Sequence, residues 1–499
     1  VPERGPRGIA WAGAVNLVGG ATGSVIGLLL AAIVGRGLGT EGAGTYFLVV
    51  AVFMIVSNVA ELGADTGLVR FASAARATGR VHDVPHLVRI AIGPVLLGGV
   101  VVVVLAAAWA RERPDELAGL EPGLVVGASV LAVLSSLIAV ALSLARGLGD
   151  VLAYPVLQNI GLPLLRLAGV FAVVTAGGGV TAVLVAWMAP VPVILALAVA
   201  VSLTLLVRHA GRLRPDRVTP AARRRLANGF WAFSATRGLS SAVEIMLEWF
   251  DVILVGALTS PEQAGIYAVV TRCARAGEVV QQAARIAVGP QISAALARGA
   301  VTEAREIYGL VTAAMIWLAW PFFIVLALFG DVVLSAFGPG FGDGAVSLAV
   351  LGLAMALATA AGTVQTILLM GGRSSWQLAD KSAALVLNIA LNLVLVPRWG
   401  IEGAAVSWAV TIVADTALVV YQVQRLMGVR PVGRYLWVAA GLACGVVGGL
   451  AGAARVLLGA SVPVLVATVA VTATVYLAAS WPLRHRLGLV ELVAHRSSV

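Results

Sequence analysis

Charged side chains recur inside stretches that are otherwise apolar. Between residues 263 and 290, Arg272, Arg275, Glu278 and Arg285 stand with Gln281 and Gln282 among valines and alanines. A guanidinium is always charged, and its parallel N–H donors grip a phosphate or carboxylate through two hydrogen bonds. These residues are the candidates for anion binding, with Arg237 from the preceding apolar stretch. A second group is acidic: Glu244, Glu248 and Asp251 follow Arg237 at spacings of seven, four and three, and Asn58, Glu61 and Asp65 form a similar set earlier in the chain. Carboxylates in an apolar setting titrate or bind a cation, which suits Glu61, Asp65, Glu244, Glu248 and Asp251 to coupling or gating.

Helices must position these groups. On a continuous helix, positions 272, 275, 278, 282 and 285 share an arc of roughly 140°. The sets 237–251 and 58–65 each fall within about 60°. A central charge costs about 2.5 to 3.5 kcal/mol on insertion scales, so neither face meets lipid. The same charges could instead pair as buried salt bridges that fix helix register. Apolar side chains hold two helices together at least as well, which favours a functional reading.

The composition sets the solvent. The 499 residues are 60% hydrophobic and 12% charged, and the mean hydropathy is +0.98, which excludes a water-soluble globular chain. The net charge of +10 resides in arginines between apolar runs, a topogenic pattern rather than a nucleic-acid footprint. Cys273 and Cys444 lie in apolar segments and offer neither a disulfide framework nor a metal site. No soluble domain fits between the spans, and the N-terminal apolar run reads as an uncleaved first span.

A crossing needs about 20 apolar residues. That template predicts an all-α polytopic membrane protein of about fourteen helices, near 9–35, 43–64, 87–109, 123–145, 154–176, 180–207, 229–257, 263–290, 307–330, 345–370, 378–396, 401–424, 435–458 and 461–482. Two pseudo-symmetric six-helix lobes are expected, spans 1–6 within residues 1–207 and spans 7–12 within 229–428. A basic linker, 208–228, joins them, and 429–499 adds spans 13 and 14 with a tail. One set of alternate loops holds Arg70, Arg76, Arg80, Arg212, Arg214, Arg223, Arg224, Arg225, Arg425, Arg430 and Arg434, whereas the other is nearly bare. Both termini are therefore expected on the cytoplasmic side.

Spans two and eight open on a shared pattern, Ala43-Gly44-Thr45-Tyr46 and Ala264-Gly265-Ile266-Tyr267, at an offset of 221 residues. That offset makes the two halves parallel repeats, a transporter arrangement. Pro163, Pro190, Pro192 and Pro321 fall within spans and permit bends. Arg166, Gln365, Asp380, Lys381, Asn388, Asn392 and Asp415 are further polar groups at membrane depth, read as packing or snorkelling residues.

The stretches Arg36-Gly37-Leu38-Gly39-Thr40-Glu41-Gly42-Ala43-Gly44-Thr45-Tyr46 and Glu61-Leu62-Gly63-Ala64-Asp65-Thr66-Gly67-Leu68-Val69-Arg70 resemble the start of polysaccharide-exporting flippases. Those belong to the multidrug/oligosaccharidyl-lipid/polysaccharide exporter superfamily. Phe250-Asp251-Val252-Ile253-Leu254-Val255-Gly256 and the run from Leu391 through Pro397 to Ala405 extend the likeness over essentially the whole chain, toward the O-antigen and teichuronic type. The resemblance implies two lobes around a cationic cavity, alternating access, and export of an undecaprenyl-pyrophosphate-linked saccharide across the bacterial inner membrane. It places Asp251 and Arg70 at family motif positions, and Arg272 and Arg275 where lipid-linked peptidoglycan flippases carry cavity arginines. The basic loop signature of that subfamily after its second span is missing here, so a lipid II-type flippase stands second. A drug or cation antiporter of the same superfamily would have about twelve spans and fewer cavity arginines.

A membrane glycosyltransferase, polymerase or ligase would need a sizeable outer loop with acidic or histidine groups. All five histidines fall in segments expected to be cytoplasmic, which argues against an enzyme. A purely structural partner of an envelope-biosynthesis complex would tolerate loss of the membrane charges. The expected requirements are a lipid-linked saccharide, membrane lipids and coupling to H+, Na+ or the membrane potential, with no metal and no nucleic acid. A polymerase and glycosyltransferases are expected neighbours in the pathway.

Overall fold

The computed structural model describes residues 6–113, 120–210, 220–370, 374–428 and 434–488. Arg212, Arg214 and Arg430, part of the 208–228 linker and the tail beyond residue 488 lie outside these, and so do residues 114–119 of the acidic loop. Among the described residues there is no β-strand, and the all-α polytopic expectation is borne out.

The chain packs as two compact units, the first comprising 1–38 and 45–253, the second 39–44 and 254–499. The break thus falls inside a helix rather than in the 208–228 linker. In the first unit α1 (Pro6–Ala60), α2 (Ala64–Ala77), α3 (Val84–Glu112), α4 (Pro122–Gly147), α5 (Leu162–Thr175), α6 (Val180–Met188) and α7 (Pro190–Ala210) precede α8 (Pro220–Leu258). One of its cores, around Leu68, Leu87, Val95, Leu144 and Phe230, is built by α2, α3, α4 and α8. Leu68, Ala72 and Ala75 recur at helical spacing, which gives α2 one apolar stripe for that core.

The second unit contains α9 (Pro261–Arg275), α10 (Glu278–Ala297), α11 (Val301–Leu328), α12 (Gly330–Ser335), α13 (Ala345–Ala360), α14 (Val364–Met370), α15 (Ser374–Met427), α16 (Arg434–Leu442), α17 (Gly449–Leu458) and α18 (Val462–Leu483). The hydroxyls of Ser260 and Ser461 cap α9 and α18 by accepting from Gln263 N and Val464 N, each with a proline in the first turn. Such a start satisfies donors that have no helical partner. Tyr308, Val311, Met315, Ile367 and Val419 form one of its cores. Asp331 and Arg455 meet in a two-pronged ion pair at 3.0 and 2.9 Å.

Ten helical stretches among the described residues are long and apolar enough to cross a membrane. Leu17–Ala77 and Trp376–Leu426, of 61 and 51 residues, each exceed twice the ~20 a crossing requires. Each is broken by a glycine with positive φ, Gly39 at 70° and Gly400 at 55°, a conformation that a Cβ disfavours. Length and composition alone do not reach fourteen: α8, α9 and α10 fall outside the set, α8 carrying the charges described above and α9 spanning only 15 residues.

Candidate functional site

In the first unit, the helix of span two stops short of its expected end at residue 64. Helical geometry stops at Ala60 and resumes at Ala64, with Leu62 at φ 52°, a strained value for a branched side chain. The backbone is irregular here because α8 lies hard against it: a Cβ on Gly238 would come 2.6 Å from the Leu62 carbonyl carbon. Glu61 thus occupies a break in a membrane helix, a place where non-helical backbone is tolerated only when shielded by protein or facing a wet cavity.

Around that break stand Asp65 and Arg146, the charged groups in electrostatic reach of Glu61. Arg146 lies 4.1 Å from the centre of the Tyr154 ring and donates to Ser143 Oγ at 2.9 Å. Tyr154 directly precedes a π-helical turn, Pro155–Gly161, an irregularity frequent at functional positions. Ser241 of α8 donates to Asn58 Oδ1 at 3.0 Å, which brings the α8 segment with Arg237 and Glu244 beside Asn58. The side chains of Arg237, Glu244 and Glu248 are exposed and Asp251 is buried. Glu61, Asp65, Asn58 and the start of the α8 stripe are therefore assembled in one place.

The second unit corrects the single-helix reading of span eight. α9 ends at Arg275 and α10 begins at Glu278, with a turn at Ala276 and Gly277 where the Phe323 ring packs against the chain. The arc shared by 272–285 on a continuous helix does not hold through this turn. Arg272 and Arg275 belong to the last turn of α9, and Arg272 donates to the Ala268 carbonyl at 2.9 Å. Glu278, Gln281, Gln282 and Arg285 lie on α10, with Glu278, Gln282 and Arg285 exposed. Gln281 donates to Thr359 Oγ1 at 3.2 Å, next to a second break at Ala361–Thr363 where Tyr308 Oη donates to the Ala361 carbonyl. Cations in a last helical turn complement the helix dipole, a structural role that stands beside anion binding.

A polar network that the sequence reading set aside joins α14 to the two halves of α15. Lys381 Nζ lies 2.7 Å from Asp415 Oδ2, which also accepts from Gln365 Nε2 at 3.1 Å. Gln422 Nε2 donates to Asp380 Oδ1 at 2.8 Å. Asp380, Asp415 and Gln422 are each 6% exposed, so Lys381 is held by a carboxylate rather than snorkelling freely. The signal was the spacing: Asp415 and Gln422 are seven apart and face one side of a helix, opposite adjacent Asp380 and Lys381. Asn388 and Asn392, both buried, bond to each other along one helix. Arg166 stacks 3.8 Å above the Trp187 ring and donates to its carbonyl. Pro163 and Pro190 sit at helix starts, Pro192 falls in the first turn of α7, and Pro321 lies inside α11.

Among the described residues no group of histidines, cysteines and carboxylates has the arrangement of a metal site. The fold is shared over 95% of this chain and 99% of the other with a lipid II flippase, MurJ, in an inward closed conformation, at a TM-score of 0.72 and 10% identity. An inward-facing multidrug transporter of the MATE family aligns over 83% of this chain and 98% of its own, at 0.63 and 15%. In sequence, the chain is similar to two Haloferax volcanii proteins. One is the probable low-salt glycan biosynthesis flippase Agl15, at 23% identity over 41% of this chain and 43% of the relative. The other is the probable flippase AglR, at 24% over 39% and 41%. The match thus spans less than half the length of either relative. Residues 10–295 match the sequence family described as polysaccharide biosynthesis protein, more than half of the chain, and the chain belongs to that family.

Proposed function

We propose that this chain is a flippase that carries an undecaprenyl-pyrophosphate-linked saccharide precursor from the cytoplasmic to the outer leaflet of a bacterial inner membrane, by alternating access and with both termini cytoplasmic. The observation that carries the reading is the helix break at Ala276–Gly277, with Arg272 and Arg275 before it and Gln281, Gln282 and Arg285 after it. Guanidinium groups beside an interrupted membrane helix suit a phosphate headgroup, and interrupted helices are where carriers place their binding sites. Arg237 serves the same headgroup. Glu61 and Asp65, at the break in the other unit, with Glu244, Glu248 and Asp251 along α8, respond to the coupling ion or potential. Both sequence relatives bear the name of flippases, which supports the class of activity.

A lipid II-type precursor is the second reading, favoured by the fold match that takes in 95% of the chain. The 83% covered by the multidrug transporter weighs against the antiporter. The experiment is transbilayer movement of a labelled undecaprenyl-pyrophosphate saccharide in proteoliposomes, wild type against Arg272→Ala and Arg275→Ala at matched reconstitution. Movement by the wild type and its loss in the variants support the proposal. Movement of lipid II alone shifts the substrate, and ion-coupled drug uptake without lipid movement overturns the reading.

A further inference from the structure

Asp380 and Gln422 leave a specific vacancy in the hydrogen-bond accounts of the second unit. Gln422 Nε2 donates to Asp380 Oδ1, yet Asp380 Oδ2 and Gln422 Oε1 are both buried with no hydrogen-bond partner among the described residues. Both are acceptors when the carboxyl is ionised, and a buried acceptor needs a donor. A proton on Oδ2 supplies one. A carboxylic acid and a primary amide joined by one N–H···O bond close into a ring when the acid O–H donates to the amide oxygen, so a single proton answers both orphan oxygens.

The adjacent charges favour the same. Lys381, the cation adjacent to Asp380 in sequence, is engaged by Asp415 at 2.7 Å, so an ionised Asp380 would leave a net negative charge at membrane depth. Among the described residues, α13, α14 and α9 pack against α15. α13 carries no charged side chain, α14 contributes Gln365 and Thr366, and α9 carries Glu262, Arg272 and Arg275, with Gln263 near its start against Gly400. On α15 itself the remaining charges are Arg398, Glu402 and Arg425. Asp380 lies six residues after Ser374, the first described residue of α15, about 9 Å along the axis.

We propose that Asp380 and Gln422 form a proton-binding site, in which the Asp380 carboxyl carries a proton and exchanges it with water during the transport cycle, so that a proton gradient drives movement. The step balances as Asp380–COOH going to Asp380–COO⁻ with the proton passing to water. It rests on the transport reading above only for its second half, and the experiment separates the two. Asp380→Asn keeps an N–H in place of the O–H and therefore preserves the pairing with Gln422 and the fold, checked by an unchanged melting temperature.

Infrared difference spectra of the protein in nanodiscs at neutral pH, wild type minus Asp380→Asn, are expected to show one carboxylic-acid C=O stretch, shifted in deuterium oxide. An ionised-carboxylate band in its place overturns the site. In proteoliposomes, an imposed pH gradient is expected to accelerate wild-type movement of the labelled lipid and to leave Asp380→Asn unaffected. Equal acceleration of both overturns the coupling while the infrared result stands. A protein that shows the acid band and moves none of the lipids overturns the transport reading instead.

Discussion

Gly265 and Gly44 stand back to back: a Cβ on Gly265 would come 2.7 Å from the Gly44 amide nitrogen and 3.0 Å from its Cα. The two residues occupy the same place in the repeated Ala-Gly-x-Tyr pattern, so the two copies of the motif cross at the point where neither has a side chain. Thr40 Oγ1 donates to Glu262 Oε1 at 2.9 Å beside the crossing. Small residues allow such approach between membrane helices.

Gly265→Val is expected to destabilise the protein by about 1–3 kcal/mol, the usual cost of forcing extra carbon into a packed crossing. Thermal unfolding in detergent, followed by loss of a monodisperse peak, measures it. Gly309→Ala, where a Cβ meets open space, serves as the control and is expected to melt like the wild type.

Lys381→Met should cost more than removal of both partners. A buried carboxylate that loses its cation is destabilising by about 3–5 kcal/mol, whereas the double variant Lys381→Met with Asp415→Leu leaves no buried charge in that pair. A double-mutant cycle on melting temperatures tests this; equal, additive losses would contradict the pairing.

Arg272→Lys and Arg275→Lys retain charge and lose the planar fork. Each is expected to weaken headgroup binding by about 1.5–3 kcal/mol, the worth of a hydrogen bond to a charged group, or roughly tenfold to a hundredfold. Competition of the labelled lipid by free pyrophosphate in the two variants measures the change. Unaltered competition would assign both arginines to helix-end capping.

The Asp331–Arg455 pair sets an acid limit. Burial pushes the Asp331 carboxyl up, but hydrogen bonds from Arg455 and from backbone amides outweigh it, so the group ends below its ordinary 3.8. A depressed carboxylate contributes stability above its unfolded value, and that contribution disappears as pH falls through the folded one. Wild type and Asp331→Asn should therefore differ in melting temperature at neutral pH and converge below pH about 4. Salt should narrow the neutral difference, since the pair is partly exposed.

The membrane character and the helical fold were legible because they depend on composition and on short local patterns. The breaks at Glu61–Gly63 and Ala276–Gly277 were not, since each is imposed by a neighbour, α8 pressing on Leu62 and Phe323 on Gly277. A helical wheel assumes continuity and hides such interruptions. The Lys381–Asp415 contact joins residues 34 apart across the hairpin at Gly400, and only its register could reveal it. Arg146 and Tyr154 escaped notice for a similar reason: a lone arginine near a helix end reads as a topological signal until an aromatic ring is found against it.

Lys381 is the one lysine in the sequence, and its ammonium is already committed to Asp415. Selective isotopic enrichment of lysine would therefore place a single ammonium resonance in the spectrum, reporting this contact against a silent background. The arginine-rich remainder of the protein would contribute nothing to that signal, so the opening and closing of one ion pair at membrane depth becomes observable in the unmodified chain.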